Sequence, residues 1–328
     1  MNQPTPPFPD ASPRRPLAAV TGSTGFIGRQ LVYTLAQAGW RVRLLLRQEP
    51  ADAQWRRSGP EVVAGSLASE PALARLVEGA DAVIHLAGLI KAARRTDFFE
   101  VNAAGAERLA RITARVAPEA HFLQVSSLAA REPALSDYAA SKRAGEDRVR
   151  DLLGGRSTVL RPPVVYGPGD RETLRFFQVA GWSRVPLLGP PGARAALIHV
   201  EDLARLMATL LAASPAGAVL SAADDRPQGY DWRELLGAAA RAVDNPRPRF
   251  FQAPQGLLRG VALVGDLARM AGSASMLNSQ KLRELVHADW AVAPAELAGA
   301  AGWSPRHGID SGFADAVRWY RGAGWLPA

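Results

Sequence analysis

The 328-residue chain has no cysteine. Disulfides, thiolate nucleophiles and cysteine-ligated metals are thereby excluded. Lysine is almost missing: Lys91, Lys142 and Lys281 stand against 36 arginines. The five histidines show no His-x-x-x-His pair or other metal spacing, so no metal is expected. No run of about 20 uncharged apolar residues exists, so no transmembrane helix is expected. Residues 1–16 are proline-rich and polar, with no apolar segment after a basic start. They read as a disordered arm rather than a secretory signal, which makes the cytoplasm the expected location. There is no internal repeat.

What is present describes a soluble globular protein, with 48% hydrophobic and 21% charged residues. The length allows one large or two modest domains. A net charge of +8 points either to an anionic partner or to a general arginine habit. No basic run with interleaved aromatics occurs, so no nucleic-acid partner is expected.

Short apolar runs and helix-period segments alternate from Leu17 to Arg161. Strands are expected at Leu17–Thr21, Val42–Leu46, Val62–Val63, Ala82–Leu86, His121–Ser126 and Thr158–Arg161. Helices are expected after Gly28, near Pro71–Glu78, at Asn102–Val116 and at Ser141–Leu153. This alternation predicts an α/β fold, a doubly wound parallel sheet of Rossmann type. Ile198–Val200 and Val219–Ser221 read as strands returning to that sheet. The sheet domain is expected to comprise 17–166 and 196–222. A smaller, mainly helical C-terminal substrate domain would comprise 167–195 and 223–328.

The first strand runs into Gly22-Ser23-Thr24-Gly25-Phe26-Ile27-Gly28, with a helix behind it. Glycine permits a tight turn and close backbone approach to a pyrophosphate, and the helix start supplies N–H donors. The second strand ends in Leu44-Leu45-Leu46-Arg47, with no acid at the position that would bind a ribose. Arg47 suits a 2′-phosphate, which predicts NADP(H) over NAD(H). Further along, Tyr138-Ala-Ala-Ser-Lys142 places a phenol and an ammonium four residues apart, on one helix face. A nearby ammonium favours the phenolate, so the tyrosine pKa is expected to fall and the phenol to serve as acid or base.

Together these segments resemble an extended short-chain dehydrogenase/reductase of the NAD-dependent epimerase/dehydratase family. The resemblance covers nearly the whole chain. Thr21-Gly22-x-x-Gly25-x-x-Gly28 resembles the dinucleotide loop, with Thr24, Phe26 and Ile27 inside it. Asp81-Ala-Val-Ile-His85-Leu86-Ala87-Gly88 resembles the strand beside the cofactor, and Val101-Asn102 a helix-start asparagine. Val125-Ser126-Ser127, Tyr138-x-x-x-Lys142 and Arg161-Pro162-Pro-Val164-Val165-Tyr166-Gly-Pro-Gly169 resemble the catalytic strand end, the active pair and the loop over the nicotinamide. Ile198-His199-Val-Glu-Asp202 resembles a later strand-to-helix junction, with Asp202 as a structural cap. Gly65-Ser66-Leu67 stands where the family often has Gly-Asp-Leu, with Ser66 and Leu67 near the adenine. Leu128-Ala129 replace the Asp-Glu of dehydratases, which argues against water elimination.

The resemblance implies hydride transfer between a nicotinamide and a carbonyl or alcohol carbon. Tyr138 would move the proton, Lys142 would lower its pKa and hold the nicotinamide ribose, and Ser127 would stabilise the oxygen. Asn102 would either support a relay or hold the helix start. It also implies a homodimer through helices near 102–116 and 141–153, with a monomer left open. The apolar segment 256–277 reads as a buried helix pair, as a flap over an apolar substrate, or as a membrane-facing surface giving peripheral membrane contact. An apolar ketone, steroid-like or of the keto-sphingolipid and ceramide kind, fits this segment better than a nucleotide sugar. The alternatives are a nucleotide-sugar epimerase that retains NAD, and a non-catalytic NADPH-binding assembly protein.

Overall fold

The structure is a computed structural model that describes residues 14–48, 59–213, 215, 217–270, 278–299 and 302–327. The chain opens with β1 (Leu17–Thr21), α1 (Phe26–Gln37), β2 (Arg41–Leu46), β3 (Glu61–Ala64), α2 (Glu70–Val77) and β4 (Ala82–His85). Next come α3 (Arg95–Phe99), a π-helical turn (Glu100–Ala104), α4 (Gly105–Val116), β5 (His121–Val125) and α5 (Asp137–Leu153). They are followed by β6 (Ser157–Arg161), β7 (Val164–Tyr166), α6 (Leu174–Ala180), β8 (Arg184–Leu187), β9 (Arg194–Ala195) and β10 (Leu197–His199). The remainder is α7 (Val200–Ala213), β11 (Val219–Ser221), β12 (Tyr230–Asp231), α8 (Trp232–Ala242), β13 (Arg249–Gln252), α9 (Gln255–Met270), α10 (Ser279–Leu285), β14 (Asp289–Trp290) and α11 (Ile309–Gly322).

Seven parallel strands form one sheet in the order β11-β6-β5-β4-β1-β2-β3. All five residues of β1 are buried, because alternate side chains feed opposite faces. Ala18 and Val20 pack with Leu31 and Leu35 of α1 and Leu203 of α7. Leu17 and Ala19 pack with Leu73 of α2, Leu109 of α4 and Val149 of α5. A sheet covered on both faces reads as the continuous apolar runs seen in the sequence. The order reverses between β1 and β4, which opens a crevice at their C-terminal ends. A third core joins α6, α8 and α11 around Tyr166, Phe177, Phe313 and Tyr320.

Four expectations are corrected. Leu197–His199 does not rejoin the sheet; it pairs with β7 as a separate two-stranded ribbon, while Val219–Ser221 does join, beside β6. The helix expected from Ser141 begins at Asp137, because Ser136 caps it by accepting from the Ala139 N–H at 2.9 Å. Arg14 and Arg15, assigned to the disordered arm, are tied to the body through the Gly79 carbonyl (2.8 Å) and the Gly39 carbonyl (2.9 Å); residues 1–13 lie outside the described residues. Segment 256–270 belongs to one helix, α9, and is not half of a buried pair: Leu257, Leu263, Val264 and Leu267 are 60–67% exposed. The remainder of that segment, 271–277, lies outside the described residues. No described helix is long and apolar enough to cross a membrane.

Candidate active site

The crevice is lined first by the glycine loop between β1 and α1. Gly22 has φ +76°, and a Cβ there would sit 2.5 Å from the Ala87 nitrogen, in the loop after β4. A Cβ on Gly28 would sit 2.3 Å from the Gly22 carbonyl oxygen. Both positions require glycine for sheet-to-helix packing. Gly25 is the N-cap of α1 and brings no capping side chain, and the first turn holds no acid. The helix start thus keeps N–H donors and its positive dipole end, with exposed Thr24 and partly buried Phe26 and Ile27 around it. This backbone cradle fits the pyrophosphate of a dinucleotide.

The neighbouring strand ends surround the cradle. Thr21 Oγ1 and His85 Nδ1 lie 2.8 Å apart across the switch point. Burial holds the His85 imidazole down to about 3, with the Lys142 charge as a lesser cause, so it is neutral. Leu86 and Ala87 are partly buried and Gly88 is exposed. Arg47 is exposed just past the end of β2. Ser66 Oγ accepts from the Ala68 N–H at 3.3 Å, and the Leu67 carbonyl accepts from Arg108 at 2.9 Å.

Asn102, carried to its place by the π-helical turn, is 2% exposed and fully engaged. Its Oδ1 accepts from the Leu89 N–H at 2.8 Å. Its Nδ2 donates to the Leu89 carbonyl at 3.0 Å and to Ser141 Oγ at 2.9 Å. The side chain clamps the loop after β4 onto the helix that carries Tyr138. Of the two roles open in the sequence, this geometry matches a holding role.

Ser127 caps the short 3-10 turn Leu128–Arg131, and its hydroxyl lies close enough to the Tyr138 phenol to favour the ionised form. Phe98 meets the Tyr138 ring edge-on, with centroids 6.3 Å apart. One turn along α5, Lys142 Nζ donates to the Val125 carbonyl at 2.8 Å. Burial pulls this ammonium down to about 8, against the opposing charge of Glu146. Glu146 is itself locked to Arg161, with Arg161 Nε 2.9 Å from Oε1. The expected depression of the Tyr138 pKa by Lys142 is not observed. Burial raises the phenol, and the opposing influences are the Ser127 hydroxyl and the charge of Lys281. The Lys142 ammonium is turned toward the Val125 carbonyl instead.

Ser127 and Tyr138 open into a cavity of about 470 Å³. Its wall is mostly apolar, with Phe98, Leu128, Val165, Phe176, Trp232 and Trp290 among the lining residues. Pro163, Val164 and Val165 line this cavity, whereas Pro162 is buried. The sequence reading missed Lys91, Glu172, Lys281 and Glu284, which also line this space. The signal that singled out Lys142, lysine in a chain that otherwise uses arginine, applies equally to Lys91 and Lys281. Asp202, expected as a cap for its own helix, instead ties down a distant segment: its carboxylate accepts from the Arg306 N–H at 3.0 Å and the His307 N–H at 2.9 Å. His199, His307 and Asp315 gather within 4.8 Å of one another, a grouping invisible in their spacing, and they do not line the cavity.

The family model described as NAD dependent epimerase/dehydratase family matches residues 18–222. A protein of Caulobacter vibrioides named ceramide reductase is 45% identical over 318 residues, covering 97% of this chain and 98% of its own. NADH dehydrogenase (ubiquinone) 1 alpha subcomplex subunit 9 of Dictyostelium discoideum is 27% identical over 67% of this chain and 62% of its own length. Among solved structures, UDP-glucose 4-epimerase from Bifidobacterium longum, in complex with NAD+ and UDP, superposes with a TM-score of 0.68 at 19% identity, over 94% of this chain and 99% of its own. The chain belongs to the NAD dependent epimerase/dehydratase family, and it is an oxidoreductase of the extended short-chain dehydrogenase/reductase type that uses a nicotinamide dinucleotide.

Proposed function

We propose that this enzyme interconverts a ketone and a secondary alcohol on a lipid-like substrate of the keto-sphingolipid or ceramide class, with NADP(H). The observation that carries this reading is the joint placement of Ser127 and Tyr138 on a large, mostly apolar cavity. The ceramide reductase that matches nearly end to end supports the same substrate class.

The bound dinucleotide supplies the hydride. Gly22, Gly25 and Gly28 would hold its pyrophosphate, Arg47 the 2′-phosphate and Lys142 the nicotinamide ribose. In reduction, Tyr138 Oη donates its proton to the carbonyl oxygen as negative charge grows there. Ser127 Oγ donates a hydrogen bond to the same oxygen, an interaction that strengthens toward the transition state. A phenol raised by burial stays protonated at neutral pH, which suits the acid role. Asn102 keeps the loop after β4 and α5 in register, so that both the cradle and Tyr138 stay in place.

The charge of the cavity weighs against a nucleotide sugar. Lys91, Lys281, Arg194, Glu172 and Glu284 all line the cavity, and Arg194 lies 3.9 Å from Glu234. Lys91 pairs with Glu172 at 2.6 Å and Lys281 with Glu284 at 2.8 Å. A diphosphate needs cations that are not already neutralised. The test is NADPH consumption with long-chain keto-lipids, steroids and nucleotide sugars offered side by side. Turnover confined to keto-lipids is expected; epimerisation of a nucleotide sugar without net NADPH consumption overturns the proposal.

The same reading extends to contact with an anionic lipid surface. Exposed Leu257, Val261, Leu263, Val264 and Leu267 form one broad stripe of α9. Exposed Phe251, in the strand just before α9, lies under Arg184 at 5.7 Å. Arg247, Arg249 and Arg259 are exposed nearby in the chain, supplying the charge that such a surface attracts.

A further inference from the structure

The chain chooses arginine over lysine 36 times to three, and all three lysines surround this one site. Lys142 lies one helical turn from Tyr138. Lys91 and Lys281 line the cavity from opposite partners: Lys91 follows β4 and pairs with Glu172, and Lys281 belongs to α10 and pairs with Glu284. An ammonium differs from a guanidinium in what it leaves free. Arginine meets a carboxylate with a planar fork, whereas lysine gives one of three donors to it and can aim two elsewhere.

Helix α10 is fixed against the catalytic helix. Glu284 accepts from Ser136 Oγ, and Ser136 is the N-cap of α5. Gln280 accepts from the Asp137 N–H at 3.0 Å and donates to its carboxylate at 2.8 Å. Arg283 Nε donates to the Leu135 carbonyl at 2.9 Å. The Glu284 side chain is only 9% exposed, while that of Lys281 keeps 51% of its surface accessible. A buried, anchored carboxylate thus holds a lysine with an accessible side chain on the cavity wall, one residue from Gln280 and its contact with the start of α5.

We propose that the Lys281–Glu284 pair is a binding subsite for a neutral hydrogen-bonding group, a hydroxyl or an amide, that the substrate carries beside its reacting carbonyl. The pair offers donors and acceptors together, as such a group requires, and its carboxylate repels a phosphate. It sets the preference of the enzyme for a ketone flanked by an amide and a hydroxyl over a plain ketone of the same chain length. This inference rests on the keto-lipid reading of the cavity. The charge of Lys281 also bears on the phenol of Tyr138 and opposes its upward shift, consistent with the pair facing the reacting end of the cavity.

The experiment compares two ketones of equal chain length, one bearing an adjacent amide and hydroxyl and one bearing neither, in the wild type and in Lys281→Met. A hydrogen bond to a charged group contributes about 1.5–3 kcal/mol, or roughly tenfold and more. The substitution is expected to lower kcat/KM for the amide-bearing ketone at least tenfold more than for the plain one, mainly through KM. Equal loss on both ketones overturns the subsite, because a role through Tyr138 or through folding alone would not distinguish them. Affinity of the NADPH-loaded protein for the two lipids is measured in parallel by calorimetry. A wild type that reduces neither ketone, yet prefers the amide-bearing lipid tenfold and loses that margin in Lys281→Met, overturns the proposed reaction and supports the subsite. A wild type without any such margin in binding overturns the subsite.

Discussion

Replacing Asn102 with alanine separates a holding role from a proton relay. The side chain makes three hydrogen bonds, at 2.8, 3.0 and 2.9 Å, two of them to the main chain of Leu89. Each bond contributes about 0.5–1.5 kcal/mol, and leaving the loop groups unsatisfied adds to the loss. With Asn102 only 2% exposed, solvent cannot replace these partners without rearrangement. Asn102→Ala is therefore expected to cost about 2–4 kcal/mol. Urea unfolding reads this as a lower midpoint at unchanged slope. Cofactor affinity is expected to fall as well, because the clamped loop includes Gly88, where a Cβ would sit 3.0 Å from Asn102 Oδ1. A variant within about 0.5 kcal/mol of wild type in stability, with normal cofactor affinity and turnover reduced a hundredfold, refutes the holding role and restores the relay.

Three other outcomes follow from the same geometry. Arg47→Asp is expected to weaken NADPH binding at least tenfold and to narrow its advantage over NADH, as two titrations would show; an unchanged preference for NADPH removes Arg47 from the cofactor site. His85 is held at about 3 when folded, against about 6.5 when unfolded. As pH falls below 6.5 the unfolded chain takes up a proton that folded His85 refuses, so its contribution is present above 6.5 and is lost at about 1.4 kcal/mol per pH unit toward 3. His85→Gln should therefore show a smaller fall in melting temperature between pH 7 and 5 than the wild type, and an identical fall would contradict the assignment. Replacing Leu257 and Val264 with glutamate is expected to reduce sedimentation with anionic vesicles at least tenfold, leaving keto-lipid turnover in detergent within about twofold; undiminished sedimentation rules out α9 as the contact.

The sheet was legible because its central strands are buried on both faces, so their apolar runs stand out in the sequence. The cradle was legible for a related reason: Gly22 and Gly28 meet backbone at 2.5 Å and 2.3 Å, distances that admit no side chain. The pairing of Leu197–His199 with Val164–Tyr166 was not legible, because a short apolar segment does not say which edge it will join. The start of α5 was not legible, because the polar residues after Ser136 obscured its first turn. The apolar repeat of α9 announced a helix without saying what covers each side, and its exposed stripe belongs to tertiary structure alone. Lys281 and Glu284 reach the cavity from some 140 positions beyond Tyr138, a distance that no local spacing spans. The Tyr138 pKa followed burial, a quantity absent from the Tyr-x-x-x-Lys spacing that pointed to the residue.

The central claim is that Tyr138 delivers the proton to a lipid-borne carbonyl in this cavity. Single-turnover NADPH oxidation with a long-chain keto-lipid, in wild type and Tyr138→Phe, tests it most directly. General acid catalysis contributes about 10²–10⁴-fold, so the variant should slow the hydride step by at least a hundredfold while binding NADPH as the wild type does. A Tyr138→Phe enzyme that oxidises NADPH at the wild-type rate would contradict the account.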